Sequence, residues 1–240
     1  MQVRVGSVWG GAIRVMVLAA VLGGCAQSAD GDGDSKKPSA RASADAKGTA
    51  VEGRAAEGRA AASGGTVGGA GSPCELPVRF DVAEGWKAKG IDAGAELSKA
   101  AGGSGDDVSG ALAESLLRQG PVTAACEIDA KPAGHLGFLR VWTGKSGGTD
   151  ARAVLRGFVD AEDGVSKERY HAVELGGGRS GVEVRYLVTS ELLDESKEET
   201  AFAVSTPGGP VVVHLGGLDT EEHKAMLPAY ELAKRTLRVP

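Results

Sequence analysis

The chain is short of aromatic side chains: Phe, Trp and Tyr make up 4% of its 240 residues, and all but Trp9 lie at or beyond Phe80. Its first third therefore lacks the large apolar groups from which a core is built. From Ala26 to Ser72 there is no Leu, Ile, Met or aromatic residue at all, so this stretch cannot bury enough apolar area to offset the entropy of ordering. No uninterrupted apolar run reaches the roughly 20 residues of a spanning helix. The nearest, Ala12 to Leu22, is broken by Arg14 and followed by glycines. An excess of positive charge is also missing. The net charge is −5, the leader contributes +2 through Arg4 and Arg14, residues 26–72 balance six acids against six bases, and about −7 remains from Pro73 onward. An acidic domain argues against nucleic acid, or an anionic phospholipid surface, bound by field alone.

Catalytic patterns are missing too. His135, His171, His214 and His223 have no metal-ligand spacing of the H-E-x-x-H kind, and each reads as a polar strand or surface residue. Ser180 is not in a G-x-S-x-G elbow, because Arg179 and Val182 occupy the positions around it. Gly144-Lys145-Ser146 lacks the glycine that a phosphate loop carries five residues earlier, where Leu139 stands. Asp30, Asp32 and Asp34 fail as a calcium loop, since Ser35 and Arg41 stand at its sixth and twelfth positions. The acids Glu191, Asp194, Glu195, Glu198 and Glu199 read as a solvated hairpin tip. No enzymatic activity, metal or cofactor is expected from the sequence.

What is present begins at the N-terminus. Arg4 and Arg14, the apolar Ala12 to Leu22, and the small residues Gly23 and Gly24 before Cys25 form the three parts of an export signal. The run Leu22-Gly23-Gly24-Cys25 resembles the lipobox of bacterial lipoproteins. That resemblance implies cleavage before Cys25, a diacylglyceryl group on its thiol, and a protein held on the extracytoplasmic face of the cell membrane. Two acyl chains give stable anchoring where one gives only marginal binding. Residues 1–24 are then signal peptide, 25–72 a lipidated and disordered Ala/Gly/Ser-rich linker, and 73–240 one extracytoplasmic domain. As a coil the linker would span roughly 35–40 Å on average.

Three cysteines leave Cys74 and Cys126 as a pair once Cys25 carries lipid. In an oxidising compartment they are expected to form a disulfide.

Beyond Pro73 the pattern alternates between strand and helix. Val78–Val82, Trp86–Ile91, Val122–Asp129 and Leu136–Thr143 read as strands. So do Lys167–Leu175, Val182–Leu192, Glu199–Thr206 and Pro210–Leu215. A Gly/Ser-rich loop after Ile91 leads to a helix capped by Asp107, with Val108, Ala111, Leu112, Ser115 and Leu116 at helical spacing. Asp150 caps a helix with the apolar face Val154, Leu155, Phe158 and Val159. Asp219 caps the last helix, whose face is Met226, Tyr230, Ala233 and Leu237 and whose acid-to-base charge order suits the helix dipole.

The expected fold is α+β, a mostly antiparallel sheet with helices packed on it. The opening strand followed by Gly85-Trp86, and the closing strand leading into a helix that ends Lys234-Arg235-Thr236-Leu237, resemble the PsbP/Mog1-like α/β/α sandwich found in lipoproteins of high-GC Gram-positive bacteria. A lipocalin-like half-barrel is the alternative. The resemblance implies a fold and no catalytic residues. The expected function is a non-catalytic binding or interaction module at the cell envelope, with an envelope protein or cell-wall component as partner; carriage of a small apolar ligand or lipid is the alternative. Trp86 and Trp142 are the candidate binding surface, Trp142 at a strand end being the more exposed of the two.

Overall fold

The computed structural model describes residues 59–102, 114–147 and 150–240. Ten strands and three longer helices can be followed through them, besides a helical stretch at 114–117 and two single turns of 3-10 helix. The strands are β1 Ser63–Val67, β2 Phe80–Ala83, β3 Lys87–Gly90, β4 Arg118–Gln119, β5 Val122–Asp129, β6 Gly137–Thr143, β7 Val165–Leu175, β8 Arg179–Ser190, β9 Glu195–Thr206 and β10 Gly209–Gly217. The helices are α1 Ala93–Gly102, α2 Ala151–Val159 and α3 Thr220–Thr236. One sheet runs β3-β5-β6-β10-β9-β8-β7, with β4 added against β5, and every ladder in it is antiparallel. The β1-β2 hairpin forms a second, small sheet.

Strand β10 lies at the centre and explains the architecture. Its sequence, GPVVVHLGG, is apolar on both faces, as a strand covered from both sides must be, and all of it is buried. Val211, Val213 and Leu215 join the core beneath α3 and the β1-β2 hairpin. Val212 joins the core beneath α2. The sheet is thus a layer between helices. Its outer ladders end at β3 and β7 without closing into a barrel, and helices cover both of its faces, the α+β arrangement expected over the half-barrel.

A bulge in β5 divides the two cores along one strand. Ala124 faces Trp142 in register, but Cys126 faces Val141, which leaves Ala125 as an extra residue. Val122 and Ala124 therefore pack under α2, while Cys126 and Ile128, of the same parity in sequence, pack under α3. Simple alternation predicts the strand and misses this change of side.

Both capped helices stand as expected. Asp150 accepts a hydrogen bond from the Ala153 N–H at 2.9 Å, and the buried face of α2 is Val154, Leu155, Phe158 and Val159. Asp219 accepts from the Glu221 and Glu222 N–H groups, each at 2.8 Å. Pro228 sits inside α3, where it has no N–H to donate back along the helix, and its own carbonyl accepts from the Ala61 N–H at 2.9 Å.

That last contact belongs to a correction. The linker was expected to run to Ser72, yet the folded part already includes Ala60 and Ala61, which pack on the core, and Val67, which is buried. The segment lacks large side chains because backbone, not apolar area, holds it. The Gly68 N–H donates to the Cys74 carbonyl at 2.8 Å, and a Cβ on Gly68 would fall 1.7 Å from the Val78 oxygen. These glycines permit close approach, a role composition cannot distinguish from flexibility.

A second correction concerns α1, which occupies the region read as a Gly/Ser-rich loop. Asp92 starts it by accepting from the Ala95 N–H at 2.9 Å. Of the helix expected after Asp107, residues 103–113 lie outside the described residues and residues 114–117 are helical, with Leu116 57% exposed.

Candidate functional site

Strands β7, β8 and β9 and the first half of α3 enclose an open groove of about 460 Å³. Its shape follows from a second bulge. Ser166 pairs with Leu187 and Arg169 with Arg185, so β7 holds two residues, Lys167 and Glu168, where β8 holds one. Lys167 adopts φ 59°, a left-handed conformation unusual for a long side chain, and that turn carries it into the wall of the groove. On the same face, register sets Arg169 opposite Arg185, Arg185 opposite Thr200, and Leu187 opposite Glu198. Helix α3 closes the other side with His223, Lys224 and Leu227.

The helix is tied to β9 by side chains. Thr200 Oγ1 and His223 Nε2 are 3.0 Å apart, and the Glu198 N–H donates to Thr220 Oγ1 at 3.0 Å. His223 is 2% exposed, and its Nδ1 has no hydrogen-bond partner. Burial, opposed by the Glu199 carboxylate, brings its pKa down from 6.5 to about 4, so the imidazole is neutral at pH 7. The positive charge of the groove comes from Lys167, Arg169, Arg185 and Lys224. The acid on the same wall is Glu198, whose Oε1 is 3.7 Å from Lys224 Nζ.

The opposite face of β9 holds a buried polar cluster. Glu199 Oε2 lies 2.7 Å from His214 Nε2 and accepts from the Tyr186 hydroxyl at 3.2 Å, while Glu199 Oε1 pairs with Lys197 Nζ at 2.7 Å. Tyr186 Oη also reaches Glu162 Oε2, in the loop after α2, at 3.0 Å. Burial alone would raise the Glu199 carboxyl, but the His214 imidazole and the Lys197 ammonium outweigh it and hold the pKa at about 2. Glu162 is shifted upward, by burial first and then by repulsion from Glu199. A carboxylate, an imidazole and a phenol are the parts of acid–base chemistry. Here both Glu199 oxygens are committed within the protein and His214 is 7% exposed, so the cluster ties β8, β9, β10 and a loop together.

The structure redistributes the residues that the sequence singles out. Cys74 and Cys126 are bonded, with Cα atoms 5.8 Å apart, and join the segment ahead of β2 to β5. Leu22, Gly23, Gly24 and Cys25 lie outside the described residues. Trp142 is 3% exposed and packs edge-on against Phe158, ring centroids 5.5 Å apart, because it alternates with Leu139 and Val141 along β6 and so faces α2 beside Val212; it is core, not a binding surface. Trp86 is 8% exposed and lines a small pocket of about 290 Å³ beside Pro228, remote in the fold from Trp142. His214 and His223 are buried partners rather than surface groups. Glu199, read as part of the acidic hairpin tip, is 2% exposed because β9 begins at Glu195 and places it on the face of Ala201 and Ala203. The parity of that strand was the available signal. Nothing in the sequence marked Lys167, Arg169 and Arg185 as a group, since they converge only through a bulge and a register. Among the described residues, no group of His, Cys, Asp and Glu side chains is arranged to hold a metal ion.

One solved structure similar to this chain is the cyanobacterial PsbP protein CyanoP from Synechocystis sp. PCC 6803, at 13% identity and a TM-score of 0.44, covering 72% of this chain and 97% of that one. No curated protein matches the chain. A family model described as an uncharacterised lipoprotein matches residues 43–237, which takes in the folded region from β1 through α3. With most of its length matched, the chain belongs to this family of lipoproteins, whose members are associated with a membrane.

Proposed function

We propose that the protein is exported, cleaved before Cys25, lipidated there and held on the extracytoplasmic face of the membrane, where its domain is a non-catalytic binding module. The observation that carries this reading is the Cys74–Cys126 disulfide. Such a bond persists in an oxidising compartment, and it leaves Cys25 as the single cysteine without a bonded partner, at the lipobox position. The family supports the membrane attachment. The groove of β7, β8, β9 and α3 supplies a concave surface, while the buried Glu199–His214 pair is closed off by its own partners. Among the described residues, large side chains such as Phe202, Tyr230 and Leu215 on one side and Phe158 and Leu155 on the other are buried between sheet and helices, which favours a surface interaction over carriage of an apolar ligand.

The test compares wild type with Cys25→Ser in a bacterial host, by alkyne-palmitate labelling, membrane fractionation and external protease on protoplasts. Wild type should label, sediment with membranes and be cut by the protease. Cys25→Ser should neither label nor remain membrane-bound. Retention of the variant on salt-washed membranes, or a domain shielded from external protease, would refute the reading.

A further inference from the structure

An acidic domain that gathers four cations at one groove needs a reason, and three observations point to the same one. The first is the direct cross-strand pairing of Arg169 with Arg185. That register sets two guanidinium groups side by side along the wall of the groove. The second is the bulge that gives Lys167 its left-handed backbone, an unfavourable conformation for lysine that sets its side chain on the same groove. The third is Lys224 on α3, which lines the cavity opposite the strands' cations and pairs loosely with Glu198 at 3.7 Å. Neutral His223 adds no charge to this wall, and Leu187 and Leu227 give the groove an apolar floor.

We propose that the groove binds a phosphate-bearing anion, with Lys167, Arg169, Arg185 and Lys224 as its ligands and Leu187 and Leu227 against its carbon portion. A single carboxylate would satisfy one guanidinium; two guanidinium groups and two ammonium groups fit the several oxygens and higher charge of a phosphate. The phosphate has two possible sources, a phospholipid headgroup and a soluble phosphate ester. The position of the groove is compatible with the first. Register places Ser63 opposite Ala83, Lys87 opposite Asp129 and Gly137 opposite Gly217, so the N-terminal chain joins the domain at the sheet end where α3 begins and where the groove lies. The net negative charge of the domain opposes long-range attraction of any anion. It removes non-specific attraction and leaves recognition to the local cations.

The proposal rests on the domain being a binding module, and its test is independent of anchoring because it uses the full chain carrying Cys25→Ser. Binding is measured to glycerol phosphate by calorimetry, and to phosphatidylcholine vesicles with and without phosphatidylglycerol by flotation. The comparison is between Arg169→Gln/Lys224→Gln and a control of equal charge change on the edge strand, Lys87→Gln/Lys89→Gln. The expected result is binding to at least one phosphate probe, weakened about thirtyfold in the groove variant and unchanged in the control. Flotation alone identifies a lipid headgroup, calorimetric binding alone a soluble ester, and both outcomes uphold the site. Lys224→Gln alone, at an exposed helix position, should weaken binding several-fold and serves if the double variant does not fold. Absence of binding to either probe, or equal loss in the control, overturns the proposal while leaving the tethering result untouched.

Discussion

His223 should make the domain sensitive to mild acid, well before its carboxylates titrate. The imidazole is 2% exposed between α3 and β9, and its folded pKa is about 4 against 6.5 when free. A base with a depressed folded pKa stabilises the fold fully above its unfolded value, and that contribution is lost as pH falls, because the unfolded chain takes up a proton that the folded one refuses. The window is therefore pH 6.5 down to about 4. A difference of about 2.5 units corresponds to about 3 kcal/mol, a large part of the 5–15 kcal/mol by which ordinary domains are stable. Glu199, held at about 2, adds a second loss below pH 4.5, whereas Glu162, shifted upward, works in the opposite sense in the carboxylate range. The assay is urea unfolding of wild type and His223→Gln between pH 7.5 and pH 4.5, a range chosen to lie above the Glu199 transition. Glutamine can keep a hydrogen bond to Thr200 and cannot titrate. Wild type should lose roughly 2–3 kcal/mol across the range; the variant should start less stable and stay nearly flat. Parallel slopes for the two proteins would refute the argument, as would a His223 titration near pH 6.5 observed by NMR in the folded state.

Other perturbations follow from single contacts. Cys74→Ser/Cys126→Ser should cost roughly 4 kcal/mol by opening a loop of 52 residues, read as a lower urea midpoint for the variant than for the oxidised protein. A chain starting at Pro73 loses β1, whose partner β2 lies in the core beneath α3, and should unfold at lower denaturant than one starting at Arg59; equal midpoints would place β1 outside the cooperative unit.

The legible part of the fold is the part specified by local signals. The caps Asp150 and Asp219, the apolar face of α2 and the strands flanking β10 follow from spacing and side-chain chemistry, and they stand where the sequence puts them. The misread parts depend on relations between distant residues. Glycines at 64 and 68 look like linker, and only Glu84 and Val78 pressing against them show that they are places of close packing. Trp142 looks like an exposed strand end until the register of β6 with β10 sets it beside Val212 beneath α2. Glu199 is the instructive case, because its parity with Ala201 and Ala203 was visible while the run of acids around it suggested solvent.

The groove was illegible for the same reason that it has chemical content. Net charge is a sum over the surface, and for this domain the sum is negative; a site is a local departure from that sum. Lys167, Arg169 and Arg185 lie on two strands, and Lys224 lies on a helix more than thirty residues further along. Their assembly requires the β7 bulge, the β7-β8 register and the Thr200–His223 tie that fixes α3 against β9. Two of these features bear a structural cost, a left-handed lysine and a buried imidazole with one nitrogen unpaired. Both border one 460 Å³ groove, and such costs are ones that a binding surface retains. An anion bound in the groove would raise the stability of the domain by mass action, making the thermal midpoint itself a reporter of occupancy.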